Sequence, residues 1–175
     1  MRKLLLNLIA VAIILPGMVT AEQMKVIPNL ADKLSDLTAG DKFIIAGENV
    51  SWGSLVDLSS EDASDITPHG CAFRYGYMLK NIGSNKAGMH ENSLVEKNVT
   101  LHYVKVPLVN AGQNRNVAGK VILKDGNHLI HLHLDATGDI VETNEENNKF
   151  RISVNVNGCS QPPRPNPPVP GRPLR

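Results

Sequence analysis

The sequence predicts an all-β domain, two antiparallel sheets packed as a sandwich, and three observations carry that prediction. From Ser51 onward apolar residues recur at every second position in several short runs, the period of strands with one buried face. Gly, Asn, Asp and Pro clusters separate those runs as turns do. Almost no segment of this region has helical spacing, and a chain of many short strands buries its apolar faces as a two-sheet sandwich.

The first 21 residues read as an export signal. Arg2 and Lys3 make a basic start, "LLLNLIAVAIIL" is a short apolar run, and Val19 and Ala21 stand at the small-residue positions of a signal-peptidase site. Cleavage is expected after Ala21. The apolar run is too short and wrongly flanked for a membrane span, and no cysteine follows the cut to take a lipid. The expected location is the bacterial periplasm or outside the cell. The mature chain, about 150 residues, is long enough for one domain with a real core. Without Arg2 and Lys3 it has 16 basic and 17 acidic residues, which excludes the global basic field of a nucleic-acid binder.

Residues 22–50 read as a short N-terminal cap segment. Leu30, Leu34 and Leu37 follow Asn29 at helical spacing and suggest one or two turns of helix. A short strand is expected at 43–46. The sandwich is expected over residues 51–159. "SWGSLVDL" is its first strand. In "CAFRYGYMLKN", Cys71, Phe73, Tyr75, Tyr77 and Leu79 share one face; Ala72, Arg74, Gly76, Met78 and Lys80 share the other. "NVTLHYVKVPLV" is β-rich, with Pro107 near its end, where a strand exit tolerates it. "NVAGKVILK" and "NHLIHLHL" flank Asp125 and Gly126, a hairpin signal. In "KFRISVNV", Phe150, Ile152, Val154 and Val156 alternate with Arg151, Ser153 and Asn155. Six or seven strands are expected. Residues 160–175 hold seven prolines and three arginines with no acid, the composition of an extended, polyproline-like tail.

Cys71 and Cys159 lie in a chain expected to be exported, which favours a disulfide. It would close a loop of roughly 90 residues, a constraint of about 4–5 kcal/mol in the chain-entropy model. In an immunoglobulin-like strand order the start of the second strand and the end of the last lie at one end of the sandwich. The bridge would pin the C-terminal strand to the body.

The run "DATGDIVETNEENNKF" holds five acids and three asparagines before its first basic residue, Lys149. Its segment Glu142, Asn144, Glu145, Asn147 and Asn148, preceded by Asp135 and Asp139, resembles the closing hairpin of the CARDB family, the cell adhesion related domain found in bacteria. "YMLKNIGSNKAG" and "GNHLIHLHLDATG" are similar to other parts of that family's pattern, and the resemblance spans roughly residues 51–157. It implies an immunoglobulin-like or fibronectin-III-like β-sandwich in the cell envelope. It implies binding or scaffolding without catalysis; no cofactor is expected, and a protein or glycan is the expected partner. The residues alone support the same reading: Asn and Asp side chains bond nearby backbone groups in turns. Asn144, Asn147 and Asn148 would satisfy backbone left unpaired where two strands cross between sheets, while Glu142, Glu145 and Glu146 stay solvated.

Metal binding is the alternative from another class. The acidic run offers oxygens for calcium, although no EF-hand series begins at Asp135 or Asp139. His131 and His133, two apart on a strand, point the same way and could share zinc or copper with a third ligand from His102 or His128. The plainer alternative has Ile130, Leu132 and Leu134 buried and the histidines on the wet face. Catalysis has little support: there is no G-x-S-x-G elbow and no phosphate loop, and exposed carboxylates make poor acid–base catalysts. Trp52, the sole tryptophan, reads as packing. The basic tail could dock on an acidic partner, and sheet edges could accept a partner strand.

Overall fold

A computed structural model describes residues 34–160. They form ten strands: β1 (Leu37–Ile45), β2 (Glu48–Ser51), β3 (Leu55–Ser59), β4 (Asp65–Thr67), β5 (Gly70–Asn81), β6 (His90–Glu96), β7 (Val99–Val106), β8 (Asn114–Leu123), β9 (Gly126–His133) and β10 (Lys149–Asn157). One sheet is built on β5, which pairs with β8 along its length, with β1 through residues 75–81 and with β4 through residues 70–72. Cys71 and Ala72 have partners in both β4 and β8, so β4 and β1 lie end to end on the same edge of β5. β2 adds to β1. The second sheet has the order β3-β10-β9-β6-β7. Every pairing is antiparallel except β3 with β10, which run parallel.

The alternation read from the sequence is the one that builds the core. Phe43, Phe73, Leu79, Leu94, Ile130, Leu132, Ile152 and Val154 are all sealed between the sheets. Phe43 stacks on Tyr75 with ring centroids 5.6 Å apart. Trp52 closes one side of the sandwich. Its ring meets Phe43 and Phe150 at 5.4 and 4.9 Å, and its indole N–H donates to the Gly40 carbonyl at 2.6 Å. On the other side the Tyr75 hydroxyl meets His102 Nδ1 at 2.8 Å. Burial pushes the Tyr75 and Tyr77 phenols well above the ordinary tyrosine range. The Cys71–Cys159 disulfide joins the start of β5 to the chain just past β10.

Several expectations need correction: the strands among the described residues number ten rather than six or seven, and "SWGSLVDL" is divided between the end of β2, a turn and β3. Leu37, expected on a helix with Leu30 and Leu34, opens β1, and Leu30 lies outside the described residues. The periodicity misled because Gly40 and Asp41 sit in a bulge between Ala39 and Phe43 that breaks the strand alternation. Strands β1 and β2 accordingly extend the β5 sheet, where the sequence suggests a cap over residues 22–50. Asp125 and Gly126 do not make a hairpin: β8 belongs to one sheet and β9 to the other. The Asp125 carboxylate instead accepts the N–H groups of Cys159 and Ser160, tying this sheet-to-sheet corner to the end of β10. Conversely, the acidic run joins β9 to β10 within one sheet and is not a crossover. The expected signal peptide and proline-rich tail lie outside the described residues.

Candidate functional site

The acidic run folds as a loop directed at its own protein. Asp135, buried and at φ 42°, accepts the N–H of Asp139 at 3.1 Å and of Ile140 at 2.8 Å; its own N–H donates to Asn92 at 2.9 Å. The left-handed backbone and the short acceptor side chain make one tight turn. Glu142, expected to be solvated, is buried. One carboxylate oxygen accepts the Leu37 N–H and the other accepts Asn148 Nδ2 at 2.9 Å. Thr143 N–H donates to the Ser35 carbonyl at 2.9 Å, and Asn147 Nδ2 donates to Asp36 at 2.7 Å. Glu145 accepts the Glu142 N–H at 3.1 Å, and Asn144 accepts that of Glu146 at 3.0 Å. The loop thus clamps the start of β1, in the opposite sheet, to the β9–β10 connection. Burial pushes the Glu142 carboxyl up to about 7, against the lowering effect of its hydrogen bonds to Leu37 and Asn148. The carboxylates that a calcium site would use are largely committed to this backbone and amide network.

The two strand histidines are together, their rings 6.3 Å apart and edge-on. The suggested third ligands are not with them. His102 is bonded to Tyr75, and His128 to Glu96 at 3.0 Å and the Lys124 carbonyl at 2.8 Å. Among the described residues no group of three or more His, Cys, Asp or Glu side chains is placed to hold a metal ion. Ile130, Leu132 and Leu134 are buried behind the pair.

Sequence reasoning passed over a third feature. On the outer face of the β5 sheet, Gly76 stands opposite Ile44 of β1 and Ala118 of β8. Glycine at the centre of that row leaves a depression. Met78, the next outward residue of β5, and Ile44 wall it, and both remain about 40% exposed. The hollow has a volume of about 520 Å³, with Lys42 and Lys80 at its rim beside Asp41 and Asn49. The alternation of β5 had placed Gly76 and Met78 on this face. The bulge that brings Gly40 beneath Met78 was not visible in the pattern.

Sandwich, disulfide and a loop spent on internal bonding make this an immunoglobulin-like β-sandwich domain. The chain belongs to the CARDB family, whose model matches residues 55–152. No curated protein matches the chain. Solved structures similar to it include the CARDB domain of a Pyrococcus furiosus protein in complex with di-metal ions, 17% identical, covering 71% of this chain and 96% of that one with a TM-score of 0.48. A 272–376 domain from Methanosarcina acetivorans is 12% identical, covers 70% and 92%, and has a TM-score of 0.49. A Listeria innocua β-glucosidase is 14% identical over 70% of this chain but 16% of that one, with a TM-score of 0.39. No helix among the described residues is long and apolar enough to cross a membrane.

Proposed function

We propose that this chain is an exported, non-catalytic binding module of the bacterial envelope, released by cleavage after Ala21, with a protein as partner. The observation that carries this reading is the apolar hollow over Gly76. A sandwich has no internal need for a depression walled by exposed Ile44 and Met78, and concave apolar surface is where binding sites concentrate. Among the described residues the large exposed apolar side chains at the hollow are aliphatic or thioether. Such walls suit an apolar side chain better than the flat face of a sugar, and methionine adapts to whatever enters. The lysine rim favours an acidic segment around that side chain.

Placing a photo-crosslinking amino acid at Met78 and irradiating the protein with its native envelope fraction tests this. A protease-sensitive adduct that disappears when Ala118→Leu fills the hollow is expected. An adduct unaffected by the filling, or one destroyed by glycosidase instead of protease, would contradict a protein partner at this face.

A further inference from the structure

We propose that the outer face of the β3-β10-β9-β6-β7 sheet is a second binding face whose ligand is an acidic polysaccharide. Strand register assembles it. Lys149, His133, Ser93 and Tyr103 stand directly opposite one another across β10, β9, β6 and β7. Arg151, His131 and Val95 form the next row. Lys97, in the turn after β6, borders a hollow of about 400 Å³ floored by Val95 and Leu129 and edged by both imidazoles.

These two rows carry cations and no acid. Lys97, Lys149 and Arg151 are exposed on this face. Glu91 pairs with Lys105 at 3.7 Å and Glu96 with His128 at 3.0 Å, while Asp57, bonded to Asn155 Nδ2 at 2.8 Å, keeps its charge at the β3 edge, away from these rows. Burial, then Lys149 and His131, hold the His133 imidazole below its ordinary range. An incoming anion would offset the repulsion from Lys149 and favour protonation of His133.

Geometry selects among polyanions. Lys149 and His133, like Arg151 and His131, are one strand spacing apart, about 4.8 Å, a step close to the advance of one pyranose in an extended chain. Tyr103 is 55% exposed at the end of a row and presents a ring on which a sugar can lie. The surface is shallow, so it suits a chain laid across strands better than a small anion needing enclosure.

The test uses the mature full-length chain with polygalacturonate, dextran, poly-L-glutamate and duplex DNA as probes, at pH 5.5 and 7.5. Polygalacturonate, ionised at both values, is expected to bind several-fold more tightly at pH 5.5, with dextran not binding. Poly-L-glutamate and DNA are expected to bind at least about tenfold more weakly than polygalacturonate. Joint Lys149→Gln and Arg151→Gln substitution should weaken binding about tenfold, on the scale of two contact charge pairs near water. Joint His131→Gln and His133→Gln substitution should remove the pH dependence, whereas Ala118→Leu on the opposite sheet should change nothing. Equal affinity for poly-L-glutamate or DNA would overturn the proposal and needs no variant to be seen. So would polygalacturonate binding indifferent to all four substitutions.

Discussion

The Glu142 carboxylate accepts the backbone N–H of Leu37, 105 residues earlier in the chain and in the opposite sheet. That bond places a buried acid at the point where the acidic loop holds the first strand.

Its titration predicts how stability depends on pH. The folded carboxyl is raised from 4.5 to about 7, so the folded protein holds its proton more tightly than the unfolded chain. The stability this supplies is complete below about pH 4.5 and is lost as pH rises through about 7, by at most about 3 kcal/mol from this group. Asp125, lowered by hydrogen bonds from Ser160 and Cys159, acts in the opposite sense below its ordinary value of 3.8. His133, lowered chiefly by burial, opposes Glu142 as pH falls below about 6.5, by less than the larger Glu142 shift. Denaturant unfolding at pH 5 and pH 8 should show higher stability at pH 5. Glu142→Gln should flatten the difference, and an unchanged difference in that variant would assign it elsewhere. Glu142→Ala leaves the Leu37 N–H and the Asn148 amide without acceptors and should cost about 1–3 kcal/mol.

Gly83 provides a separate test of the clamp. A Cβ there would lie 2.5 Å from the Asp36 nitrogen and the Leu34 carbonyl oxygen. Gly83→Ala must push residues 34–36 away and should lower stability by about 2 kcal/mol. Gly88→Ala, whose Cβ would meet Ile140 at an ordinary 3.5 Å, should be nearly neutral. Paired thermal melts of the two variants distinguish a close approach from a general intolerance of glycine replacement.

The disulfide spans 88 residues and ties the first residues of β5 to the end of β10. Its reduction should cost about 4–5 kcal/mol if chain entropy dominates. Chemical denaturation with and without reductant reads the difference. Neither sulfur should be alkylated in the folded protein unless reductant is added.

Trp52 gives a local probe. Its ring fills the seam between Phe43 and Phe150, and its N–H bonds Gly40. Trp52→Phe keeps most of the packing but loses the donor, for an expected cost of about 1 kcal/mol. Trp52→Ala should cost about 3 kcal/mol or more by opening the seam. The measurement is the denaturation midpoint followed by circular dichroism, since both variants lose the tryptophan signal.

Where period-two alternation is clean, as in β5 and β10, sequence and structure agree residue by residue. Strand β6 escaped notice because its inward and neighbouring positions are polar: His90, Asn92 and Ser93 are buried beside Leu94. Asn92 is there to donate to the Tyr77 hydroxyl at 2.8 Å and to accept the Asp135 N–H. Those long-range partners cannot be read from local pattern. Asp125-Gly126 carried the residues of a hairpin but served a corner, because turn chemistry sets local backbone and not which sheet the next strand joins. The acidic loop was recognisable by composition, yet burial of Glu142 depends on a partner at the other end of the chain. The hollow over Gly76 arises from three strands in register, and no single segment encodes it.

The hollow is tested most directly by comparing the affinity of the crosslinked envelope partner for the wild-type chain with its affinity for Ala118→Leu and for Gly76→Val, each checked for an intact melting transition. A side chain seated over Gly76 predicts a loss of at least about tenfold in both variants, the scale of one displaced apolar anchor. Unchanged affinity in two folded variants with the depression filled would show that the partner engages the protein elsewhere.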